Sequence, residues 1–431
     1  MNKYLLIPVI LCLVLLTFSA SAGVPTSQNS VLKELPSKNI DYLDEVLNLI
    51  EKHFFDKNYR GFDLQELRKK YKKQVQSAKS KLELHKVVNE MLAEFKVSHL
   101  AIMEEEIYKG IKNERTNSTS PEFGFKLRKL DSKYFATRFS EGGAADKSEL
   151  KYGDEIISVN GKPVEACDIL IDNGNDVGIP GPEYYIIKAD LDETVKLEIR
   201  RDKDSKSKQI SIKAVEYNET KSTDNSIKII EKEGKKFAYI HTWHFLTRRI
   251  FELFSDAIED EFVNCDAMIL DVRGHGGSAM VIQMFLAVFS DKPRFRNRVP
   301  NWNKPLVVLI DEGSRSAKEI FAYEIQRDKL GSLIGRRTQG AVLGSNFYKL
   351  SDESALIMPV VDGSRYTRDG KTLEGNGVEP DIVVPLQLQY ADGKDEILER
   401  GIKEALKLTT QEEDPKEDSP NETEENIEED F

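Results

Sequence analysis

A chain of 431 residues, 39% hydrophobic and 32% charged, is long enough for about two or three domains with proper cores. Three cysteines in that length exclude a disulfide scaffold. The net charge of −12 is uneven: residues 412–431 hold eleven acidic side chains against one lysine and supply −10 of it, so the remainder is nearly neutral and has no basic stripe suited to nucleic acid.

At the N-terminus, Met1-Asn2-Lys3 precedes an apolar run over residues 4–18 and then Ser19-Ala20-Ser21-Ala22-Gly23. One positive charge, a short apolar core and small residues at an A-x-A site predict a secretory leader over residues 1–22, cleaved after Ala22. The run is shorter than the ~20 residues a membrane span needs. Cys12 leaves with the leader; Cys167 and Cys265 then either pair in an oxidising compartment or stay as two thiols. Export to a periplasm or the extracellular space is the expectation.

Residues 40–94 read as helix, with Leu43, Val46, Leu47 and Ile50, then Leu84, Val87, Val88, Met91 and Leu92, at spacings of three and four. This helical region, residues 23–115, ends with Val97-Ser98-His99-Leu100. The polar run 113–121 is expected to be a linker. Beyond it the texture changes to short strands.

Glu122-Phe123-Gly124-Phe125-Lys126-Leu127, Gly142-Gly143-Ala144-Ala145 and the stretch 150–164, with Gly153-Asp154-Glu155-Ile156-Ile157 and Val159-Asn160-Gly161, together resemble a PDZ domain, set at residues 116–220 and completed by strands 194–200 and 208–214. The resemblance implies that Phe123, Gly124 and Phe125 form a loop whose backbone N–H groups receive a peptide's carboxylate while the peptide adds as a strand. Residues 168–193, with Gly178-Ile179-Pro180-Gly181-Pro182, are an insertion in that pattern.

From Lys235 onward apolar strands alternate with helices, which predicts an α/β layer over residues 221–408. Strands are expected at 237–240, 267–271 and 305–310, and a helix at 249–261. The second strand runs into the glycine turn Arg273-Gly274-His275-Gly276-Gly277, which lacks the lysine and spacing of a phosphate loop. The third runs into Asp311-Glu312-Gly313-Ser314-Arg315-Ser316-Ala317-Lys318-Glu319, with Ser316 at the head of a helix. A serine on a strand-to-helix turn needs a base, most often a histidine from elsewhere in the fold. The acidic end, residues 409–431, is too poor in apolar residues to order itself.

In this order the motifs, closing with Asp369-Gly370-Lys371 and Gly377-Val378-Glu379-Pro380-Asp381, resemble the C-terminal processing and tricorn-type serine peptidases over residues 40–385. The resemblance implies an α/β, multidomain chain with a crotonase-like (ClpP-like) catalytic core and Ser316, not Ser314, as nucleophile. One branch of the family takes its base from a lysine whose place here is held by Ala341, in Thr338-Gln339-Gly340-Ala341-Val342. The tricorn-like branch uses a histidine preceded by serine, matched by Ser98-His99, and a glutamate that orients the serine, matched by Glu374. An oxyanion hole follows from the backbone N–H of Gly276 or Gly277 and that of Ala317, with His275 where the family commonly has asparagine. The implied function is a serine peptidase acting on proteins or peptides, recruited by their C-termini. The alternative is a silent relative serving as a peptide-binding adaptor. No cofactor is expected, and no metal: His241 and His244 need not share a face, His53 and His85 sit on helical stretches, and no His-Glu-x-x-His occurs.

Overall fold

The computed structural model describes residues 28–172, 181–290 and 300–411; the expected leader, the acidic end from residue 412 and Gly178-Ile179-Pro180 lie outside them. The chain begins with α1 (Gln28–His53), α2 (Leu64–Ser77), α3 (Lys81–Ala93), β1 (Ala101–Met103) and α4 (Glu105–Thr116). Strands follow: β2 (Ser120–Glu122), β3 (Lys126–Leu130), β4 (Lys133–Thr137), β5 (Glu155–Val159), β6 (Lys162–Pro163), β7 (Leu170–Asp172), β8 (Tyr184–Ile187), β9 (Thr194–Arg200), β10 (Lys208–Lys213) and β11 (Val215–Tyr217). The remainder is α5 (Glu219–Ser226), β12 (Lys228–Lys232), β13 (Lys235–His241), α6 (Arg248–Glu259), β14 (Ala267–Asp271), α7 (Ala279–Val288), β15 (Leu306–Ile310), α8 (Ala317–Arg327), β16 (Ser332–Gly335), β17 (Gly344–Lys349), β18 (Ala355–Val361), β19 (Ile382–Val383) and α9 (Glu396–Gln411).

The architecture is α/β and multidomain. Its central sheet has the order β12-β13-β14-β15-β16-β19, parallel from β13 to β19 with β12 antiparallel at one edge. Side chains alternate across a strand, and here each face has its own core. Ala238, Ile240, Met268, Leu270, Val308 and Ile310 pack with residues of α6, α7 and α8, while Phe237, Tyr239, Ile269, Val307, Leu309 and Ile334 pack with Ile397 and Ala405 of α9. A sheet covered on both sides requires apolar runs without polar alternation, as in Leu306-Val307-Val308-Leu309-Ile310.

The α1–α3 layer is not closed on itself. Its buried cluster runs from Leu43 and Ile50 to Leu343, Leu350, Leu356 and Met358, around the small sheet β1-β18-β17. This packing ties the segment before Ser98 to the last third of the chain. The expected linker is structured: Asn113 to Thr116 are the last turn of α4, Asn117 caps it with φ +53, and Ser120 to Glu122 pair with β11. Ile107 and Ile111 give α4 an apolar side on the β1-β18 sheet, which its polar composition hides.

The PDZ-like sheet has the order β10-β9-β5-β4-β3-β8-β7 over a core that includes Phe123, Phe125, Leu127, Ile156, Leu197 and Ile212. Cys167 packs beside this core and Cys265 in that of the central sheet; both are free thiols. Among the described residues no helix is long and apolar enough to cross a membrane.

Candidate active site

The fully buried strand β15 delivers the turn 311–316 to the rim of the central sheet. Asp311 stitches this turn to the glycine turn beyond β14: its Oδ1 accepts from the N–H of Gly274 (3.2 Å) and of Gly313 (3.0 Å). The Ser314 hydroxyl is buried and donates to Val272 O at 3.0 Å. It is thereby spent on structure. Ser316 stands at φ +54, ψ −121, a left-handed conformation that a non-glycine residue adopts only when its surroundings impose it. Here its N–H donates to Ala341 O (2.8 Å) and to Glu319 Oε2 (3.0 Å).

Glu319 is the anchor of that turn. Fully buried, it also accepts from Thr338 Oγ1 (2.6 Å) and the N–H of Gly340 (2.6 Å) and Ala341 (2.8 Å). Burial pushes its carboxyl up to about 7 against the pull of those bonds. Ala341, where the other branch of the resembled family has its lysine, is fully buried and bonded through its backbone to both Ser316 and Glu319.

The glycine turn lies against the serine. A Cβ on Gly276 would stand 3.0 Å from that of Ser316, and one on Gly277 would overlap Phe245 at 2.3 Å. Gly276 O accepts from Phe245 N–H at 2.9 Å, and the trans peptide turns the Gly277 N–H to the opposite side. Lys318, fully buried, gives its ammonium hydrogens to Trp243 O (2.9 Å), Arg273 O (3.2 Å) and Gly274 O (3.0 Å). Burial draws its pKa down to about 7. His275, at φ +40, is fixed by Lys126 Nζ (2.7 Å) and Glu219 Oε1 (3.0 Å), and burial pulls its pKa down to about 4.

His99 follows α3 in a tight turn at φ +56. Its Nδ1 is 2.9 Å from Ser98 Oγ, and that hydroxyl donates to Glu374 Oε2 at 2.9 Å. Glu374 also accepts from the N–H of Ser98 (2.7 Å) and of Val342 (3.0 Å). A hydroxyl has one proton and spends it on the carboxylate, so the Ser98 oxygen accepts from a hydrogen on His99 Nδ1. His99, Ser316, Gly276, Gly277 and Ala317 all line one cavity of about 420 Å³. Phe123, Gly124 and Phe125 lie elsewhere, at the head of β3, with both phenylalanines buried in the PDZ-like core.

A strained serine and an oriented imidazole lining one cavity are the parts that proton removal from a hydroxyl requires. Sequence reading missed the anchoring work of Glu319 and Lys318. Both stand in the motif after Ser316, and a charged residue inside an otherwise apolar helix head was the available signal. His241 and His244 are apart in role: one bonds Glu141 at 2.8 Å, the other Glu114 at 3.2 Å. Among the described residues no cluster of His, Cys, Asp and Glu is arranged to hold a metal ion.

Residues 236–384 match peptidase family S41, residues 41–93 the tricorn protease C1 domain and residues 113–168 the PDZ domain. A putative tricorn-like protease C-terminal subunit of Sulfurisphaera tokodaii is 30% identical over 188 residues, 41% of this chain and 22% of that protein. The carboxy-terminal processing protease CtpA of Bacillus subtilis is 25% identical over 288 residues, 62% of this chain and 58% of its own. The solved structure of mature CPAF complexed with lactacystin covers 88% of this chain and 100% of its own, with TM-score 0.57 at 14% identity, a likeness of fold. The chain spans about a fifth of the length of the first curated relatives it matches.

Proposed function

We propose that the chain belongs to the S41 peptidases of the C-terminal-processing and tricorn-like kind, with an adjacent PDZ domain, and that it hydrolyses peptide bonds through an acyl-enzyme on Ser316. His99 Nε2 takes the Ser316 proton as Oγ attacks the scissile carbonyl. The N–H groups of Gly277, or Gly276, and Ala317 receive the oxyanion. His99 then protonates the leaving amine, and water, activated by the same imidazole, releases the acyl group. Ser98 and Glu374 hold the tautomer and favour the imidazolium as it forms. The observation that carries this reading is the Glu374–Ser98–His99 line of bonds ending in the cavity that Ser316 lines.

The same reading divides the chain into a helical region (23–115), a PDZ-like domain (116–220) that recruits peptides by their C-termini, and a crotonase-like catalytic domain (221–408). The leader would place it in a periplasm or outside the cell. Fluorophosphonate labelling of wild type beside Ser316→Ala and His99→Ala, all three shown to be folded, tests the proposal. Labelling lost in both variants is the expected result; a folded wild type that never labels would leave a peptide-binding adaptor in its place.

A further inference from the structure

The match to the PDZ domain stops at residue 168, where the insertion begins. The structure has two strands there: β8 adds to β3 antiparallel, with Leu127 opposite Tyr185 and Arg128 opposite Tyr184, and β7 adds to β8. Strand β3 therefore has a neighbour on both sides, β4 and β8. The Lys129 N–H, on the side where an extended peptide would pair, already donates to Glu183 O at 3.3 Å.

Neighbouring side chains of β8 go opposite ways. Tyr185 packs at the PDZ-like core, edge-on to Tyr134 at 5.4 Å. Tyr184 meets two arginines: the guanidinium of Arg128 is 5.7 Å and that of Arg138 5.5 Å from its ring centre, and its hydroxyl accepts from Arg138 Nη2 at 3.3 Å. Those arginines go on to the turn of the nucleophile, Arg138 to Asp311 at 2.5 Å and Arg128 to Glu312. At the entry to β8, a Cβ on Gly181 would stand 2.6 Å from Gln339 Nε2, and Gln339 N–H donates to Ser314 O at 3.0 Å.

We propose that β8 is an internal ligand of the PDZ-like sheet, seated where an outside peptide would add, and that Tyr184 on it is a positioning residue for the Ser316 turn, acting through Arg128 and Arg138. A peptide from solution then reaches β3 only by displacing β8. The second half rests on the peptidase reading; the first does not.

Two measurements on the full chain test it. Without any added peptide, the Lys129 amide should exchange its hydrogen at least about a hundredfold more slowly than a free amide; exchange at the free rate overturns the seated strand. For the second half, the rate of Ser316 labelling and the kcat on a peptide substrate are compared in wild type, Tyr184→Phe and Tyr184→Ala of matched folding. Tyr184→Ala should lose about tenfold in both with KM unchanged, and Tyr184→Phe, which keeps the ring over the guanidinium groups, should stay within about twofold of wild type. Equal rates in wild type and Tyr184→Ala, or a loss carried wholly by KM, overturn the positioning role. A wild type that does not label sinks the peptidase reading and this half with it, while the amide exchange still decides the first.

Discussion

Two buried histidines of the same layer, His85 on α3 and His99 just after it, show how wiring separates a structural imidazole from the proposed base. His85 has a carboxylate on each nitrogen, Glu104 on Nδ1 and Asp352 on Nε2, both at 2.7 Å. Burial alone would lower its pKa; the bonds to Asp352 and Glu104 outweigh that and raise it. The ring is held cationic and has nothing to accept with. His99 has its carboxylate one hydroxyl away, through Ser98. That spacing orients the ring without placing a carboxylate directly on it, which suits the proton transfer proposed above.

The comparison breaks most visibly if the two rings are exchanged in importance. His99→Ala should cost about 10²–10⁴ in kcat, with thermal stability little changed, whereas His85→Ala should leave kcat within about twofold; steady-state kinetics on both variants decides. Next comes the relay. Glu374→Gln should lower kcat about 10²-fold at constant KM, and because Ser98 and Glu374 act as one unit, adding Ser98→Ala should cost little more. Independent, multiplying losses would mean that the hydroxyl does not transmit the carboxylate.

Smaller effects fall on stability. His85→Ala should lose about 1–3 kcal/mol in urea denaturation, the penalty of stranding polar partners. The pH response has a definite sign: a histidine with a raised folded pKa lends stability that is complete below its unfolded value of 6.5 and is lost as pH rises through the folded one. Melting temperature should therefore fall from about pH 6.5 upward in wild type relative to His85→Ala. A melting temperature that follows the same course with pH in both proteins would defeat the assignment of charge to His85.

Much of this was legible in the sequence for a physical reason. Strands buried on both faces leave uninterrupted apolar runs, so β14 and β15 stand where the runs at 267–271 and 305–310 stand, and the turns after them are marked by glycine and by Ser316. What could not be read is pairing at long range. Nothing local in residues 168–193 says that Tyr184 to Ile187 will lie on β3; a strand's partner is chosen by the whole sheet, and a segment rich in Gly and Pro has no period to declare it. Likewise Glu319 is conspicuous as a charge, but its four donors come from a loop at 338–341 and from Ser316. The polar surface of α4 concealed a helix whose apolar side amounts to two isoleucines.

The bond from Ser98 to Glu374 spans 276 residues, and it has a meaning in time. During synthesis the histidine emerges first, the serine more than two hundred residues later, and the carboxylate that orients the histidine later still. A ribosome-bound chain thus carries each part of the proposed machinery without the assembled whole. On the proposed reading, the site is assembled only once the chain is complete past Glu374.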